Sequence, residues 1–91
     1  DIAAAFADFT AAYDLSTALQ DRSLVAFSLH GLGTVHQHRG EYALALEAFH
    51  RSVNLRRALL QESNEADDAK ASHSNEYALA NTLNNLGGVY G

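Results

Sequence analysis

The sequence contains no proline, no cysteine, no methionine and no tryptophan. Without proline, nothing interrupts a long helix from within. Without cysteine, disulfide bonds, thiolate metal sites and thiol catalysis are excluded. No apolar run is long enough to span a membrane, and no signal peptide is visible. We therefore expect a helical chain with no membrane partner, and we expect it in the cytoplasm.

Cations are also scarce, with six Lys and Arg against eleven Asp and Glu, which gives a net charge of −5. Nucleic acids are bound by clustered cations, so we expect no nucleic-acid partner. The most frequent residue is alanine, which has the highest helix propensity. A length of 91 residues suits one domain, so we treat residues 1–91 as a single all-α unit.

Apolar residues recur at every third or fourth position along most of the chain, which predicts amphipathic helices. Four helices are expected, at about residues 2–19, 24–38, 41–60 and 76–90. Asp21 or Ser23 would cap the second helix, and Ser74 or Asn75 the fourth. Gly40 suits the turn before the third helix because glycine readily adopts a positive φ.

Residues 61–75 break this pattern, because they include no large apolar side chain. Such a segment buries too little apolar surface to offset the entropy lost on ordering. We therefore expect a mobile acidic insertion between the third and fourth helices. The sequence leaves open whether this insertion is a loop or contains helical turns.

The chain also repeats itself internally. When it is aligned with itself, Phe9 falls on Phe49 in one register and Gly33 falls on Gly87 in a second. The second offset exceeds the first by close to the length of the acidic segment. The first and third helices are therefore equivalent, as are the second and fourth, and such internal periods are typical of helical repeat proteins.

The most informative stretch has the pattern Leu29-x-x-Leu32-Gly33, followed after Gly40 by an aromatic residue, Ala45 and Phe49. This pattern resembles the tetratricopeptide repeat superfamily. The LNNLG run that begins at Leu83 is similar to the long repeats of kinesin light chains, of about 40 residues. The resemblance implies an αα superhelix of about two repeats, truncated at both ends.

In that family the first helix of each repeat lines a concave groove that holds a peptide or a partner helix. The resemblance therefore implies a groove formed by the second and fourth helices. Its predicted binding residues are Phe27, His30, Thr34, Gln37, His38, Asn81, Asn84 and Asn85, with Gly31 and Gly88 between them. Asn85 matches an asparagine that pairs with a peptide backbone, and Gly31 occupies the equivalent place on the second helix.

Two predictions about packing follow from the repeat. Gly33 and Gly87 should lie at close helix–helix contacts, facing Ala45 and Ala5. Open ends should expose apolar residues, because a repeat buries its core only against a neighbour. We therefore expect a homo-oligomer whose interface includes four residues of the last helix: Leu79, Leu83, Leu86 and Tyr90.

Catalytic and cofactor patterns are lacking, so we expect no enzyme, no cofactor and no metal. The five histidines do not suggest a zinc site, because His36 and His38 point to nearly opposite sides of a helix. The sequence favours a protein-interaction module that binds a peptide or a partner helix. Two alternatives are a structural spacer or self-association segment, and a regulatory repeat array of a larger signalling protein.

Overall fold

The computed structural model describes residues 1–90, and these residues are almost entirely helical. The helices are α1 (Ile2–Ala18), α2 (Arg22–His38), α3 (Tyr42–Glu65) and α4 (Ala69–Tyr90). The prediction of an all-α chain is confirmed. The first two helices lie close to their predicted bounds, whereas α3 and α4 are both longer than predicted.

All three connections are turns of the same kind. Each turn places one residue in the left-handed region of backbone space: Gln20 (φ 57°), Gly40 (φ 76°) and Asp67 (φ 55°). In each case the next amide donates to the carbonyl five residues earlier, which is the Schellman motif. Because these turns are short, successive helices run in opposite directions and pack side by side.

The four helices form two layers. The molecule measures 40 × 32 × 18 Å, and its smallest dimension fits two helices of about 10 Å each. In one layer α2 contacts α4 directly. In the other, α1 and α3 are bridged by Arg51 Nη2, which donates to the Tyr13 hydroxyl at 2.7 Å.

The core centres on the ring of Phe49, which is fully buried with Ala45, Val53 and Leu86. A Cβ built on Gly33 would lie 2.8 Å from this ring, so only glycine leaves enough room. A glycine inside a helix costs about 1 kcal/mol relative to alanine, and the close approach of α3 explains its presence. Gly33 thus lies at a close helix contact as predicted, but Phe49 rather than Ala45 faces it.

Gly31 and Gly87 differ in what lies opposite them: a side chain packs against Gly31, whereas the space at Gly87 is open. A Cβ at Gly31 would overlap the ring of Phe9, so Gly31 receives α1 as Gly33 receives α3. A Cβ at Gly87 would meet nothing within 4 Å. The prediction of a close contact at Gly87 is therefore wrong for this chain. The ring at Gly33 comes from the helix that follows α2, and within residues 1–90 no helix follows α4.

The acidic segment is almost entirely helical, which answers the question between a loop and helical turns that the sequence left open. α3 continues to Glu65 and α4 begins at Ala69, so only three residues of the segment form the turn. α3 has 24 residues against 17 in its equivalent α1. α4 likewise begins well before Glu76, which aligns with the start of α2. The inserted residues therefore lengthen each arm of one hairpin by about two helical turns.

We call residues 61–75 the hairpin extension. Its arms pack through small polar groups around Ser63, which is 8% exposed. Ser72 Oγ donates to Ser63 Oγ at 3.1 Å, and Asn75 Nδ2 donates to the Leu59 carbonyl at 3.3 Å. Asp68 caps α4 by accepting from the Ala71 amide at 3.1 Å, so the predicted caps Ser74 and Asn75 lie inside the helix.

The hairpin extension is also tied to the start of α2. Arg22 donates through Nη1 and Nη2 to the two carboxylate oxygens of Glu62, each at 2.6 Å. The hydrogen bonds and charge of Arg22 lower the pKa of the Glu62 carboxyl. The same pair raises the pKa of the Arg22 guanidinium, first through the hydrogen bond to Glu62. Both side chains are about half exposed, so water screens the pair.

Candidate functional site

A cleft of about 640 Å³ lies between α2 and α4, and we call it the α2/α4 cleft. Its walls come from α2, the start of α3 and the last turns of α4. The lining residues are Thr34, Gln37, His38, Tyr42, Asn85, Gly88 and Val89. Four predicted groove residues, from helices distant in sequence, thus come together here: Thr34, Gln37, His38 and Asn85.

A second cleft of about 340 Å³ lies between α1 and α2, and we call it the α1/α2 cleft. Its floor is apolar and includes Ile2, Ala5, Phe9, Gly31 and Val35. The predicted groove residues that line it are Phe27, His30, Thr34 and His38. Since Thr34 and His38 line both clefts, the two adjoin along α2, and we call them together the depression.

Two predicted groove residues fall outside both clefts. Asn81 and Asn84 are exposed on α4 and line neither cleft. Asn84 aligns with His30, which faces α4 across the layer. Within residues 1–90 no further helix lies beyond α4 to face Asn84 in the same way.

His30 joins the two helices that form the depression. Thr82 Oγ1 donates to the Ala78 carbonyl at 3.1 Å, so its single hydrogen is used there. His30 Nδ1, 2.9 Å from Thr82 Oγ1, must therefore carry the hydrogen and donate it. His30 Nε2 then accepts from Asn85 Nδ2 at 2.9 Å. A neutral imidazole with its hydrogen on Nδ1 satisfies both contacts.

The surroundings of His30 favour that neutral form. Burial lowers the pKa of His30, and the charge of Arg56 lowers it further. The ring also packs edge-on against Phe49, with centroids 5.7 Å apart. Burial lowers the pKa of Arg56 as well, and this side chain donates to Ser52 Oγ at 3.2 Å.

The side-chain amide of Asn85 is partly used for a hydrogen bond within the chain. One N–H of this amide donates to His30 Nε2, so one of its two donors is used within the chain. Its carbonyl oxygen accepts no hydrogen bond from residues 1–90. The predicted role as a peptide clamp is therefore reduced to one N–H donor and one acceptor. On α2 the equivalent position is Gly31, which is filled by Phe9 and offers no polar group.

The residues predicted for self-association do not form one exposed patch. Leu86 is buried in the core and is not available to a partner, and Leu79 is partly buried against the same core. Leu83 is 38% exposed and Tyr90 is 66% exposed. The apolar stripe of α4 is thus divided, because α3 covers one edge and leaves the other open.

Sequence reasoning missed the apolar floor of the α1/α2 cleft. The alignment of Phe9 with Phe49 was the available signal. Phe49 packs against a glycine of α2, and its equivalent Phe9 does the same. His36 packs edge-on against the ring of Phe6, and its Nδ1 lies 2.9 Å from Glu41 Oε1. Within residues 1–90, no three His, Asp or Glu side chains converge as metal ligands would. Over the same residues, no helix combines the length and the apolar character needed to cross a membrane.

Comparison with protein-family models, curated proteins and solved structures gave no match to this chain. The resemblance to tetratricopeptide repeats therefore depends on the chain's own residues. Those residues are the pattern that begins at Leu29 and the internal repeat. The geometry of the two clefts is the independent physical basis for a function.

Proposed function

We propose that this chain is a protein-interaction module of the tetratricopeptide type, with about two repeats of an αα superhelix. It holds an extended peptide or a partner helix in the depression along α2 and α4. One observation carries the proposal: six of the eight predicted groove residues line two adjoining clefts. They come from two helices that the whole of α3 separates in sequence.

The chemistry of the α2/α4 cleft suits a peptide backbone. Gln37 supplies an amide with both donors and an acceptor, and Asn85 supplies a free carbonyl oxygen. These groups pair with main-chain N–H and C=O groups without reading side chains. Val89 and the ring of Tyr42 supply apolar surface beside them, a mixture typical of ligand pockets.

The same lining supports binding without catalysis. No carboxylate lines the α2/α4 cleft. The α1/α2 cleft includes one, Asp1, which caps α1 by accepting from the Ala3 amide at 3.0 Å, and no hydrogen bond joins it to His38. Thr34 Oγ1 donates to the His30 carbonyl at 3.1 Å and is not activated by a neighbouring base. We therefore propose a binding role and no reaction.

The test is a screen of an array of twelve-residue peptides, followed by isothermal titration of those that bind. Gln37→Ala and His38→Ala remove polar groups from the cleft and should each weaken binding several-fold. His73→Ala is the matched control, because His73 is exposed on the hairpin extension, away from the cleft. Equal affinity in all variants, or no peptide bound below millimolar concentration, would contradict the proposed function and leave the spacer alternative.

A further inference from the structure

The contacts of His30 leave one ring nitrogen free to take up a proton. Thr82 is fully buried, and its hydroxyl donates to the Ala78 carbonyl at 3.1 Å. His30 Nδ1, 2.9 Å from that hydroxyl oxygen, therefore carries a hydrogen already in the neutral ring. The lone pair of the ring is on Nε2, which lies 2.9 Å from Asn85 Nδ2. A proton taken up by His30 must therefore bind at Nε2, directly opposite the Asn85 amide.

A hydrogen on Nε2 is incompatible with the orientation that the Asn85 amide has beside the neutral ring. The new N–H of His30 and the NH₂ group of Asn85 would face each other at 2.9 Å, as two donors with no acceptor between them. A half turn of the amide about χ2, which is a soft torsion, exchanges its oxygen and nitrogen without moving the backbone. The oxygen then accepts from Nε2–H, and the contact between His30 Nδ1 and Thr82 is kept.

We propose that a proton taken up by His30 turns the Asn85 amide and so changes the group that the α2/α4 cleft offers to a peptide. This regulation presupposes the proposed function, since it acts on the peptide that the depression holds. While His30 is neutral, Asn85 Oδ1 is available to a peptide N–H. Once His30 is protonated, Nδ2 with its two hydrogens occupies the place of that oxygen. A peptide N–H held by Asn85 then meets a donor, so acid releases a peptide that binds in this way.

Ionisable groups surround His30 on three sides. Arg56 acts on it from α3, Asp1 lines the α1/α2 cleft with it at the start of α1, and His38 follows it by about two turns on α2. The α4 groups that contact the ring are a hydroxyl and an amide, neither of which titrates. Burial lowers the pKa of His30, and the charge of Arg56 lowers it further, so the amide turns only below the ordinary histidine value of 6.5.

NMR of the ligand-free chain from about pH 8 to about pH 4.5 tests the switch itself. The ring nitrogen shifts of His30 should show the Nδ1–H tautomer at the alkaline end. The Asn85 side-chain amide resonances should then move with the same midpoint as the His30 ring. Scalar coupling across the hydrogen bond between Asn85 Nδ2 and His30 Nε2 should be present before protonation and absent after it. The side-chain amide of Asn84, exposed on α4, is the matched control and should not follow that midpoint.

Isothermal titration at about pH 7.5 and about pH 5.0 tests the consequence for binding. The probe is the array peptide with the highest affinity at the higher pH, together with versions in which single backbone amides are replaced by esters. Each ester removes one N–H. At the amide that reaches Asn85, the ester should weaken binding about ten-fold at the higher pH and have little effect at the lower. The unmodified peptide should bind about ten-fold more weakly at the lower pH.

Two variants separate His30 from the other histidine of the depression. His30→Gln keeps a donor and an acceptor beside Thr82 and Asn85 but does not titrate, so its affinity should lose most of the pH dependence. His38→Gln is the matched control, because it removes the other titrating ring and leaves the contact between His30 and Asn85 in place. Its affinity should be lower at both pH values, with the wild-type ratio between them. Circular dichroism at both pH values establishes that each chain is folded.

Two results would overturn the switch: an Asn85 amide that does not follow the His30 midpoint, or an equal loss of affinity on acidification in wild type and His30→Gln. The NMR titration needs no ligand, so it separates the switch from the groove. A shared midpoint in a chain that binds no peptide supports the turn of the amide and contradicts the proposed function. Peptide binding without a shared midpoint supports the groove and overturns the switch.

Discussion

Two regions of the molecule lie in helix pairs joined by the same kind of turn but pack through different groups. One is the contact between Gly33 on α2 and Phe49 on α3, which we call the base, and the other is the hairpin extension between α3 and α4. At the base, the buried ring of Phe49 fills the space left by Gly33. In the extension, Ser63, Ser72 and Asn75 join the two arms by hydrogen bonds. Helical structure in this molecule therefore does not require large apolar residues at every turn.

The extension can be helical without large apolar residues because starting a helix costs more free energy than lengthening one. Nucleation is unfavourable, whereas each further residue adds a hydrogen bond at little extra cost. The extension continues helices that are already anchored by the core, so it needs only propagation. A fully buried large apolar side chain contributes about 1.5–3 kcal/mol, whereas a hydrogen bond contributes a net of about 0.5–1.5 kcal/mol. We expect the extension to open before the base.

The largest expected effect is at the base. Phe49→Ala removes the fully buried ring at the centre of the core and should destabilise the chain by about 3–5 kcal/mol. Urea denaturation followed by circular dichroism measures this loss. Phe27→Ala is the control, because Phe27 is 53% exposed and should cost much less. Similar losses in the two variants would mean that the core is not organised around Phe49.

The two aligned glycines should respond with opposite signs. Gly33→Leu overpacks the contact with Phe49 and should cost roughly 1–3 kcal/mol. Gly87→Leu meets nothing within 4 Å and gains helix propensity, so it should stabilise α4 by several tenths of a kcal/mol. Thermal melting followed by circular dichroism measures both. An unchanged melting temperature for Gly33→Leu would contradict the packing described here.

The sequence predicted the body of the fold well because its signals there are local. The apolar period, the Gly40 turn and the internal repeat identify four helices, two pairs of equivalents and the close contact at Gly33. The ring that faces Gly33 could have been inferred from Phe49 itself. It was missed because small residues were expected to face one another, whereas a glycine leaves room for a ring.

The extension and the site were harder to predict because both depend on tertiary contacts. Composition marks residues 61–75 as polar, but it does not show that Ser63 and Asn75 meet across a hairpin. The groove residues were named from a resemblance, and six of them line the clefts. The link from His30 to Thr82 and Asn85 has no sequence signal, because these residues are more than fifty positions apart.

A smaller effect is expected in the extension. Asn75→Ala removes the hydrogen bonds to the Leu59 carbonyl and to Ser63 Oγ, and should cost about 0.5–1.5 kcal/mol. The loss should be local, with faster amide exchange in residues 61–75 and unchanged exchange around Phe49. Asn64→Ala, at an exposed position of the same hairpin, is the control. Uniformly faster exchange would show that the extension and the base unfold together.

The smallest expected difference between the two regions is in their response to pH, and it depends on His30. The ordinary histidine pKa of 6.5 applies to the unfolded chain, whereas burial and the charge of Arg56 lower the pKa of His30 in the folded protein. As the pH falls through 6.5, the unfolded chain therefore binds a proton before the folded chain does. The free energy of unfolding must then decrease from about pH 7.5 toward about pH 5.5.

His30→Gln should flatten this dependence, because glutamine keeps a donor and an acceptor near Thr82 and Asn85 without a titrating ring. His73→Gln, in the exposed extension, should leave the wild-type slope unchanged. The window also excludes Glu62, whose ordinary pKa of 4.5 is lowered by Arg22, so that its contribution is lost only at more acidic pH. Urea midpoints at half-unit intervals of pH measure the slopes. Parallel slopes for wild type and His30→Gln would show that His30 takes up its proton equally in both states, and that the base is no more sensitive to pH than the extension.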